Sequence, residues 1–207
     1  MKPASETPTA LLLIDIQKGF EHPTHWGTSR STPSLEANVA ALLRAARQYN
    51  KTATEPILII HVHHHSVSPT SQLHPSARLP GSDTPTIEAA DYAAPVGDEP
   101  ILTKNVNSGF VGTDLEERLR GFGAKQLVVV GLTTDHCVST TVRMAANLHV
   151  LSDAPDGDGI FMVRDATATY SKGGFDAETV HAVHLASLDG EFASVVGTDE
   201  VVKVIFH

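Results

Sequence analysis

The sequence is poor in cysteine, in positive charge and in long apolar runs, and each shortage argues against a class of protein. One cysteine among 207 residues cannot form a disulfide within the chain, which favours a reducing, cytoplasmic compartment. Lys and Arg number 15 against 24 Asp and Glu, a formal net charge of −9. That charge argues against nucleic acid or an anionic membrane as the main partner. No apolar run approaches the roughly 18 residues that a membrane-spanning helix requires.

Several motifs of other enzyme classes are also missing. The chain has no G-x-S-x-G of serine hydrolases, and it has neither a P-loop nor the G-x-G-x-x-G of dinucleotide-binding proteins. Its first nine residues, MKPASETPT, lack the pattern of a signal peptide. The remaining composition, 41% hydrophobic and 19% charged, is that of an ordinary globular protein. We expect one domain over residues 1–207, with residues 1–8 as a flexible tail.

Apolar runs typical of buried strands alternate along the chain with segments of helical periodicity. This alternation predicts parallel βαβ units, and therefore an α/β fold whose open sheet is covered on both faces. Segments rich in Ser, Pro, Gly and His predict loops at 17–33, 63–97 and 152–159. The predicted strands are 10–14, 57–62, 100–103, 127–130, 160–163 and 194–196. Helices are predicted from Ser34, over 114–120, in the segment whose first turn holds Cys137, and over 175–188.

The clearest signal lies in QLVVVGLTTDHCVSTTVRMAAN, residues 126–147. A buried strand runs into a glycine and helix-capping residues, and apolar residues then recur at helical spacing. This pattern puts Cys137 in the first turn of a helix, where the positive end of the helix dipole favours a thiolate. The unpaired N–H groups of that turn could also hold an oxyanion. A buried structural cysteine is the alternative interpretation.

Asp15 and Lys104 lie, like Cys137, at or just past the carboxyl end of a predicted strand. In an open parallel sheet these ends share one edge, where ligands bind near the topological switch point. A carboxylate there can take the thiol proton and later hand it to a leaving amine, and a lysine can stabilise both anions. The three residues together predict an Asp–Lys–Cys triad that transfers acyl groups through a thioester. Taken singly, Asp15 could cap a turn and Lys104 could be a solvated surface charge.

At these residues the chain resembles the isochorismatase-like cysteine hydrolases, which include nicotinamidases and N-carbamoylsarcosine amidohydrolases. The resemblance rests on LLLIDIQKGF, on ILTKNVNSGFVGTDLEERLR and on VVVGLTTDHCVSTTVRMAANL, and it continues through VRDATATY and VHAVHLASLDGEFASVV. It implies a three-layer α/β/α, Rossmann-like fold with a parallel sheet of about six strands. It also implies Asp15 as the base, Lys104 as an orienting cation and Cys137 as the nucleophile. The Leu132–Thr133 peptide would be cis, with the amides of Thr133 and Cys137 as the oxyanion hole.

Two departures from the family bear on the reaction. Members that hydrolyse the vinyl ether of isochorismate typically lack this cysteine, which favours hydrolysis of a C–N bond here. Nicotinamidases carry an Asp-x-His metal motif, and this sequence has none beside its histidine cluster of His61, His63, His64 and His65. Adjacent side chains of an extended segment point to opposite faces, so the three consecutive residues His63, His64 and His65 cannot all face one ion. We therefore expect no metal and no cofactor, and we expect His64 to contact the substrate.

The resulting prediction is a cysteine amidohydrolase that acts on a small molecule. Phe20, Trp26 and Phe110 follow predicted strands, and with His64 they are the candidate substrate-binding residues. Aromatic residues near a nucleophile favour a small, flat or apolar acyl group, with core packing as the alternative for each of them. The alternative functions are an isochorismatase-type C–O bond hydrolase and a catalytically silent, ligand-binding member of the fold. We expect a homodimer or a higher homo-oligomer.

Overall fold

The structure, a computed structural model, describes residues 1–27, 29–151 and 158–207. Its sheet has six parallel strands in the order β3-β2-β1-β4-β5-β6. These strands are β1 (Thr9–Ile14), β2 (Leu58–His64), β3 (Ile101–Lys104), β4 (Gln126–Leu132), β5 (Ile160–Ala168) and β6 (Ser194–Val196). The helices are α1 (Leu35–Asn50), α2 (Leu115–Phe122), α3 (Ser139–Asn147), α4 (Ala177–Leu188) and α5 (Thr198–Val204).

The helices cover both faces of the sheet and bury two hydrophobic clusters. Leu11 and Leu13 of β1 pack with residues of α1 and α5, whereas Leu12 and Ile14 pack with residues of α2, α3 and α4. This division follows from the strand itself, because successive side chains point to opposite faces. Strands buried on both faces read as continuous apolar runs, which is why ALLLI and LVVV were recognisable. The three-layer α/β/α fold with a parallel sheet is thus confirmed.

The topological switch point lies between β1 and β4, the two central strands. From β1 the chain builds outward through β2 and β3, and it then returns to place β4 on the other side of β1. At this junction Ile14 pairs with Gly131, which has φ of 127°. A Cβ atom on Gly131 would lie 2.0 Å from the Ile14 carbonyl oxygen, so only glycine allows the two strands to approach this closely.

The structure differs from the expected elements mainly towards the carboxyl terminus. β5 continues to Ala168, five residues beyond the predicted end, and α5 was not predicted. Polar Arg164 and Asp165 interrupt the apolar run, and the β4–β5 register shifts between Val129 and Gly131. The sheet therefore continues past a break in the sequence pattern. Residues 152–157 of the predicted loop lie outside the described residues.

The amino-terminal segment makes defined contacts with the rest of the domain. The Lys2 amide donates to the Gln126 side chain at 2.7 Å, and the Gln126 amide group donates back to the Lys2 carbonyl at 2.9 Å. Ala4 is buried and its N–H donates to the Ile205 carbonyl at 2.9 Å. None of the helices in the described ranges combines the length and apolarity needed to cross a membrane.

Candidate active site

Four polar side chains meet at the carboxyl edge of the central strands. Asp15 directly follows β1, His64 and Lys104 are the last residues of β2 and β3, and Cys137 lies beyond β4. Asp15 is fully buried and Lys104 is 2% exposed. The Asp15 backbone has φ of 51° and its N–H donates to the Val62 carbonyl at 2.7 Å, which turns the chain out of the sheet. Asp15, Lys104 and Cys137, which were predicted to share the carboxyl edge of the sheet, thus lie together there.

The turn that carries Cys137 is a π-helical turn, Thr134–Val138, and not the first turn of an α-helix as predicted. Its N-cap is Thr133, whose carbonyl accepts from the Val138 N–H at 3.2 Å, five residues on. The α-helix α3 begins only at Ser139. Wider single π-turns occur often at functional sites. The Leu132–Thr133 peptide bond before the turn is cis.

The ammonium group of Lys104 connects the other three side chains. Its Nζ atom lies 2.7 Å from Asp15 Oδ2, 3.3 Å from Cys137 Sγ and 3.1 Å from His64 Nδ1. Lys104 can only donate, so the carboxylate, the sulfur and the imidazole nitrogen all accept. The side chains of Asp15 and Lys104 are both inaccessible to solvent. A buried pair of this kind keeps its geometry because either charge alone would be costly in this environment.

Burial sets the protonation of the acid and the thiol. Desolvation raises the pKa of Asp15 above its ordinary value of 3.8, although the Lys104 charge acts in the opposite direction. Desolvation likewise raises the pKa of Cys137, and the Asp15 charge adds to this effect while Lys104 opposes it. At neutral pH the cysteine is therefore a thiol and needs a base. Burial therefore acts against the thiolate that a helix terminus was expected to favour.

One oxygen of the Asp15 carboxylate is available to accept the thiol proton. Within the described part of the chain, its buried Oδ1 atom has no hydrogen-bond partner. One carboxylate oxygen of Asp15, one ring nitrogen of His64 and Cys137 Sγ all lie within 4.8 Å of one another. Since Oδ2 already accepts a hydrogen bond from Lys104, the unpartnered Oδ1 is the carboxylate oxygen that is better placed to receive a proton.

This cluster does not fit a metal ion while Lys104 is in place. Asp15, His64 and Cys137 could each offer one ligand atom. The Lys104 ammonium lies within 3.3 Å of an atom of each of them, so a positive charge already occupies the space that a cation would need. Desolvation and the Lys104 charge lower the pKa of His64 to about 4, and the imidazole is neutral at physiological pH.

Two other histidines of the cluster lie on the face of β2 that points away from His64. His61 and His63 alternate with His64, and both are buried on the opposite face of the strand. His61 Nε2 lies 2.9 Å from a Glu99 carboxylate oxygen, and Glu99 is also bound by Arg47. Burial lowers the pKa of His63 to about 4. The alternation that we expected thus separates these histidines from the site.

A cavity of about 410 Å³ opens onto Cys137. Three of the four predicted substrate-binding residues line it, namely Phe20, Trp26 and His64. The rings of Phe20 and Trp26 stack with centroids 4.6 Å apart. The Trp26 indole N–H donates to the Gly19 carbonyl at 2.7 Å, which fixes one ring against the other. The rings of Phe20 and Trp26 thus form an apolar part of the cavity that Cys137 also lines.

Phe110 has a different position. It is partly buried against the hydrophobic cluster between the sheet and α2–α3, and the described wall of the cavity does not include it. Its neighbour Gly109 instead anchors this segment, because the Gly109 N–H donates to the Thr141 hydroxyl at 3.0 Å.

Other residues of the cavity were not recognised in the sequence. Tyr170 stacks beside Phe20 and Trp26, and its hydroxyl donates to the Phe20 carbonyl at 2.9 Å. Lys172 lines the same cavity and forms an ion pair with Asp135 of the π-turn. These residues follow β5, and the strand-end rule would have selected them if the end of β5 had been predicted at Ala168. The described wall of the cavity also includes His25, Ser71, Leu73, Asn107, His136 and Ser171, together with Thr133, which was predicted for the oxyanion hole.

The fold and this site together define a class of α/β proteins that hold a buried cysteine beside an Asp–Lys pair at the switch point. Residues 9–200 match the family model described as the isochorismatase domain. The isochorismatase family protein YrdC of Bacillus subtilis (strain 168) is 36% identical over 202 residues, which cover 96% of each chain. The chain therefore belongs to the isochorismatase family and is a hydrolase of that family.

Two further relatives describe the range of the similarity. A crystal structure of an isochorismatase-family protein from Chromobacterium violaceum ATCC 12472 has a TM-score of 0.80 and 34% identity, covering 98% of this chain and 95% of that one. Nicotinamidase 3 of Arabidopsis thaliana is 28% identical over 196 residues, which cover 93% of this chain and 86% of the relative.

Proposed function

We propose that the protein is a cysteine hydrolase that cleaves a C–N bond of a small amide through a thioester intermediate. The observation that carries the proposal is the position of the Lys104 ammonium, 2.7 Å from Asp15 Oδ2 and 3.3 Å from Cys137 Sγ in a buried cluster. Asp15 is the base, Cys137 is the nucleophile, and Lys104 holds the two in register.

In the first half-reaction Asp15 takes the proton of the Cys137 thiol while the sulfur bonds to the carbonyl carbon of the amide. A buried thiol with a raised pKa is a poor nucleophile until this proton leaves. The raised pKa of Asp15 makes the carboxylate a better base than an exposed aspartate. Asp15 then returns the proton to the nitrogen as the C–N bond breaks, and ammonia or an amine leaves.

In the second half-reaction water hydrolyses the thioester. Asp15 takes a proton from the water as its oxygen bonds to the acyl carbon, the C–S bond breaks and the proton returns to sulfur. Both tetrahedral intermediates carry an oxyanion. We assign its stabilisation to the backbone N–H groups of Thr133 and Cys137, because both residues line the cavity, Thr133 as the N-cap of the π-turn and Cys137 within the turn.

The shape of the cavity supports a small substrate with a flat or apolar acyl group. Phe20, Trp26 and Tyr170 stack on one another and line the cavity, and the neutral imidazole of His64 adds a polar contact. The similarity to a nicotinamidase supports an amide over an ether as the scissile group. A small-molecule substrate is also in keeping with a volume of about 410 Å³.

Release of ammonia from a panel of primary amides tests this proposal. The panel should pair aromatic with aliphatic acyl groups, and vinyl ethers should be included because their C–O cleavage releases no ammonia. Ammonia from at least one amide is the expected result. Turnover of the vinyl ethers alone would replace the proposal with C–O bond hydrolysis.

The matched control is Cys137→Ala, which removes one sulfur atom and leaves the fold intact. It should abolish ammonia release, since no other cysteine exists in the chain. A Cys137→Ala protein that keeps more than a small fraction of the wild-type rate would contradict the thioester mechanism.

A further inference from the structure

A buried histidine outside the cavity contacts the π-turn that carries the nucleophile. His181 lies in α4 and is 6% exposed. Its Nδ1 atom lies 2.8 Å from the Thr134 hydroxyl, and its Nε2 atom lies 3.0 Å from the Arg164 carbonyl oxygen. One imidazole therefore links α4, the middle of β5 and the first residue of the π-turn.

The Arg164 contact determines the tautomer of this ring. A carbonyl oxygen can only accept, so Nε2 must carry the hydrogen and donate. Burial lowers the pKa of His181, which keeps the ring neutral at physiological pH. In a neutral imidazole the second nitrogen has no hydrogen, so Nδ1 accepts and the Thr134 hydroxyl donates. The direction of each hydrogen bond in this chain of contacts is therefore defined.

The contact bears on the site through the position of Thr134. This residue is fully buried and is the first residue of the π-turn, three positions before Cys137. A π-turn pairs backbone groups five residues apart and is rare outside single turns, so contacts from neighbouring groups bear on its position. Asp135, the next residue, is held by the Thr169 hydroxyl and by Lys172. Together with His181, these contacts fix the start of the turn on two sides.

We infer that His181 is a positioning residue that orients the nucleophile turn by accepting the hydrogen bond of the Thr134 hydroxyl. The inference rests on the proposed function, because a turn held in this way aligns the Thr133 and Cys137 amides and the thiol with the acyl carbon. Displacing a reacting group by about 1 Å costs on the order of 100-fold in rate. His181 itself does not reach the cavity wall described above and takes no proton in the reaction.

A double-mutant cycle tests this role. Thr134→Val keeps the shape of the side chain and removes the hydroxyl, and His181→Phe keeps a ring and removes both nitrogens. Each variant should lower kcat by roughly 10- to 100-fold with little change in KM. The double variant should lose no more than the more damaged single variant, because both changes break the same hydrogen bond. Losses that multiply in the double variant would overturn the inference.

Two conservative variants at His181 separate positioning from simple packing. In His181→Asn the amide oxygen can replace Nδ1 as the acceptor for Thr134, whereas in His181→Gln the amide nitrogen can replace Nε2 as the donor to Arg164. We expect Asn to keep most of the wild-type kcat and Gln to resemble His181→Phe. Equal activities in these two variants would contradict a specific role of the Thr134 contact.

Thr9→Val is the matched control for Thr134→Val. Thr9 is 1% exposed and its hydroxyl donates to the Thr7 carbonyl at 2.8 Å, but it lies at the opposite end of β1. The same chemical change there should lower the melting temperature without changing kcat. If Thr9→Val and Thr134→Val reduced kcat equally, the effect would be one of stability, and the inference would be wrong.

Alkylation of Cys137 distinguishes failure of this inference from failure of the proposed function. Iodoacetamide adds one measurable mass to the sole cysteine and needs no substrate. Slower alkylation in His181→Phe and Thr134→Val, with a wild-type rate in Thr9→Val, is the expected result. If Cys137→Ala kept turnover, the proposed function would fail, and these alkylation rates alone would then decide the role of His181. Wild-type alkylation in every variant would count against it.

Discussion

Replacing Asp15 with Asn tests the proposed base separately from the rest of the cluster. The change is nearly isosteric, and the amide oxygen can still accept from the Lys104 ammonium, which lies 2.7 Å from Oδ2. The amide cannot take the thiol proton, and burial holds the Cys137 thiol protonated at neutral pH. We expect the acylation rate to fall by about 10²- to 10⁴-fold, the range for a general base.

The same substitution has a stability cost that must be separated from the loss of catalysis. Asp15 and Lys104 are both solvent-inaccessible at their side chains, so Asp15→Asn leaves a buried ammonium without its counter-ion. Breaking a buried pair in this way costs about 3–5 kcal/mol, and the remaining amide contact reduces that figure. The double variant Asp15→Asn/Lys104→Met removes both charges. It should recover stability and stay inactive.

Pre-steady-state kinetics measure the acylation step directly. With a substrate from the amide panel whose deacylation is slower than its acylation, wild-type protein should release a burst of ammonia equal to the enzyme concentration. Asp15→Asn should show no burst, and urea unfolding should show that the protein is folded at the assay temperature. A wild-type burst in folded Asp15→Asn would remove Asp15 from the role of base.

Three further predictions concern pH, packing and metal. Because the base must be ionised and burial raises its pKa, kcat/KM should fall as pH drops with a midpoint above 3.8, and a midpoint at or below 3.8 in still-folded protein would refute this. Gly131→Ala should destabilise by about 3 kcal/mol or prevent folding, since its Cβ would lie 2.0 Å from a carbonyl oxygen. Gly121→Ala in α2, where a Cβ would have no atom of the described residues within 4 Å, should be neutral or stabilising in the same urea titration. Activity should survive dialysis against a chelator because Lys104 occupies the centre of the cluster, and a loss that added zinc restores would contradict this.

The central half of the fold was predictable because its strands are buried on both faces. Runs such as LLLI and LVVV have few structural alternatives in a chain of this composition. The parallel arrangement and the shared edge of Asp15, Lys104 and Cys137 then follow from the alternation of strands and helices. The family resemblance and the three-layer fold are confirmed by the domain match and the solved relatives.

The parts that were missed depend on tertiary contacts that leave little trace in sequence. The end of β5 was placed before Arg164 because polar residues interrupt the run, and Tyr170 and Lys172 were missed with it. The π-turn has the same residue types as an α-helical first turn, so periodicity could not distinguish them. The burial that raises the pKa of the Cys137 thiol was not predicted, because the sequence shows the helix terminus and not the depth of burial. The roles of the site residues and the homo-oligomer stay predictions.

The most direct test of the central claim is the intact mass of the protein during turnover. A poor amide substrate from the panel is mixed with the enzyme and the reaction is stopped with acid within seconds. We predict an added mass equal to the acyl group, confined by peptide mapping to Cys137 and missing in Cys137→Ala. Steady ammonia release by wild-type protein with no adduct under these conditions, or an adduct on any other residue, would contradict a thioester at Cys137.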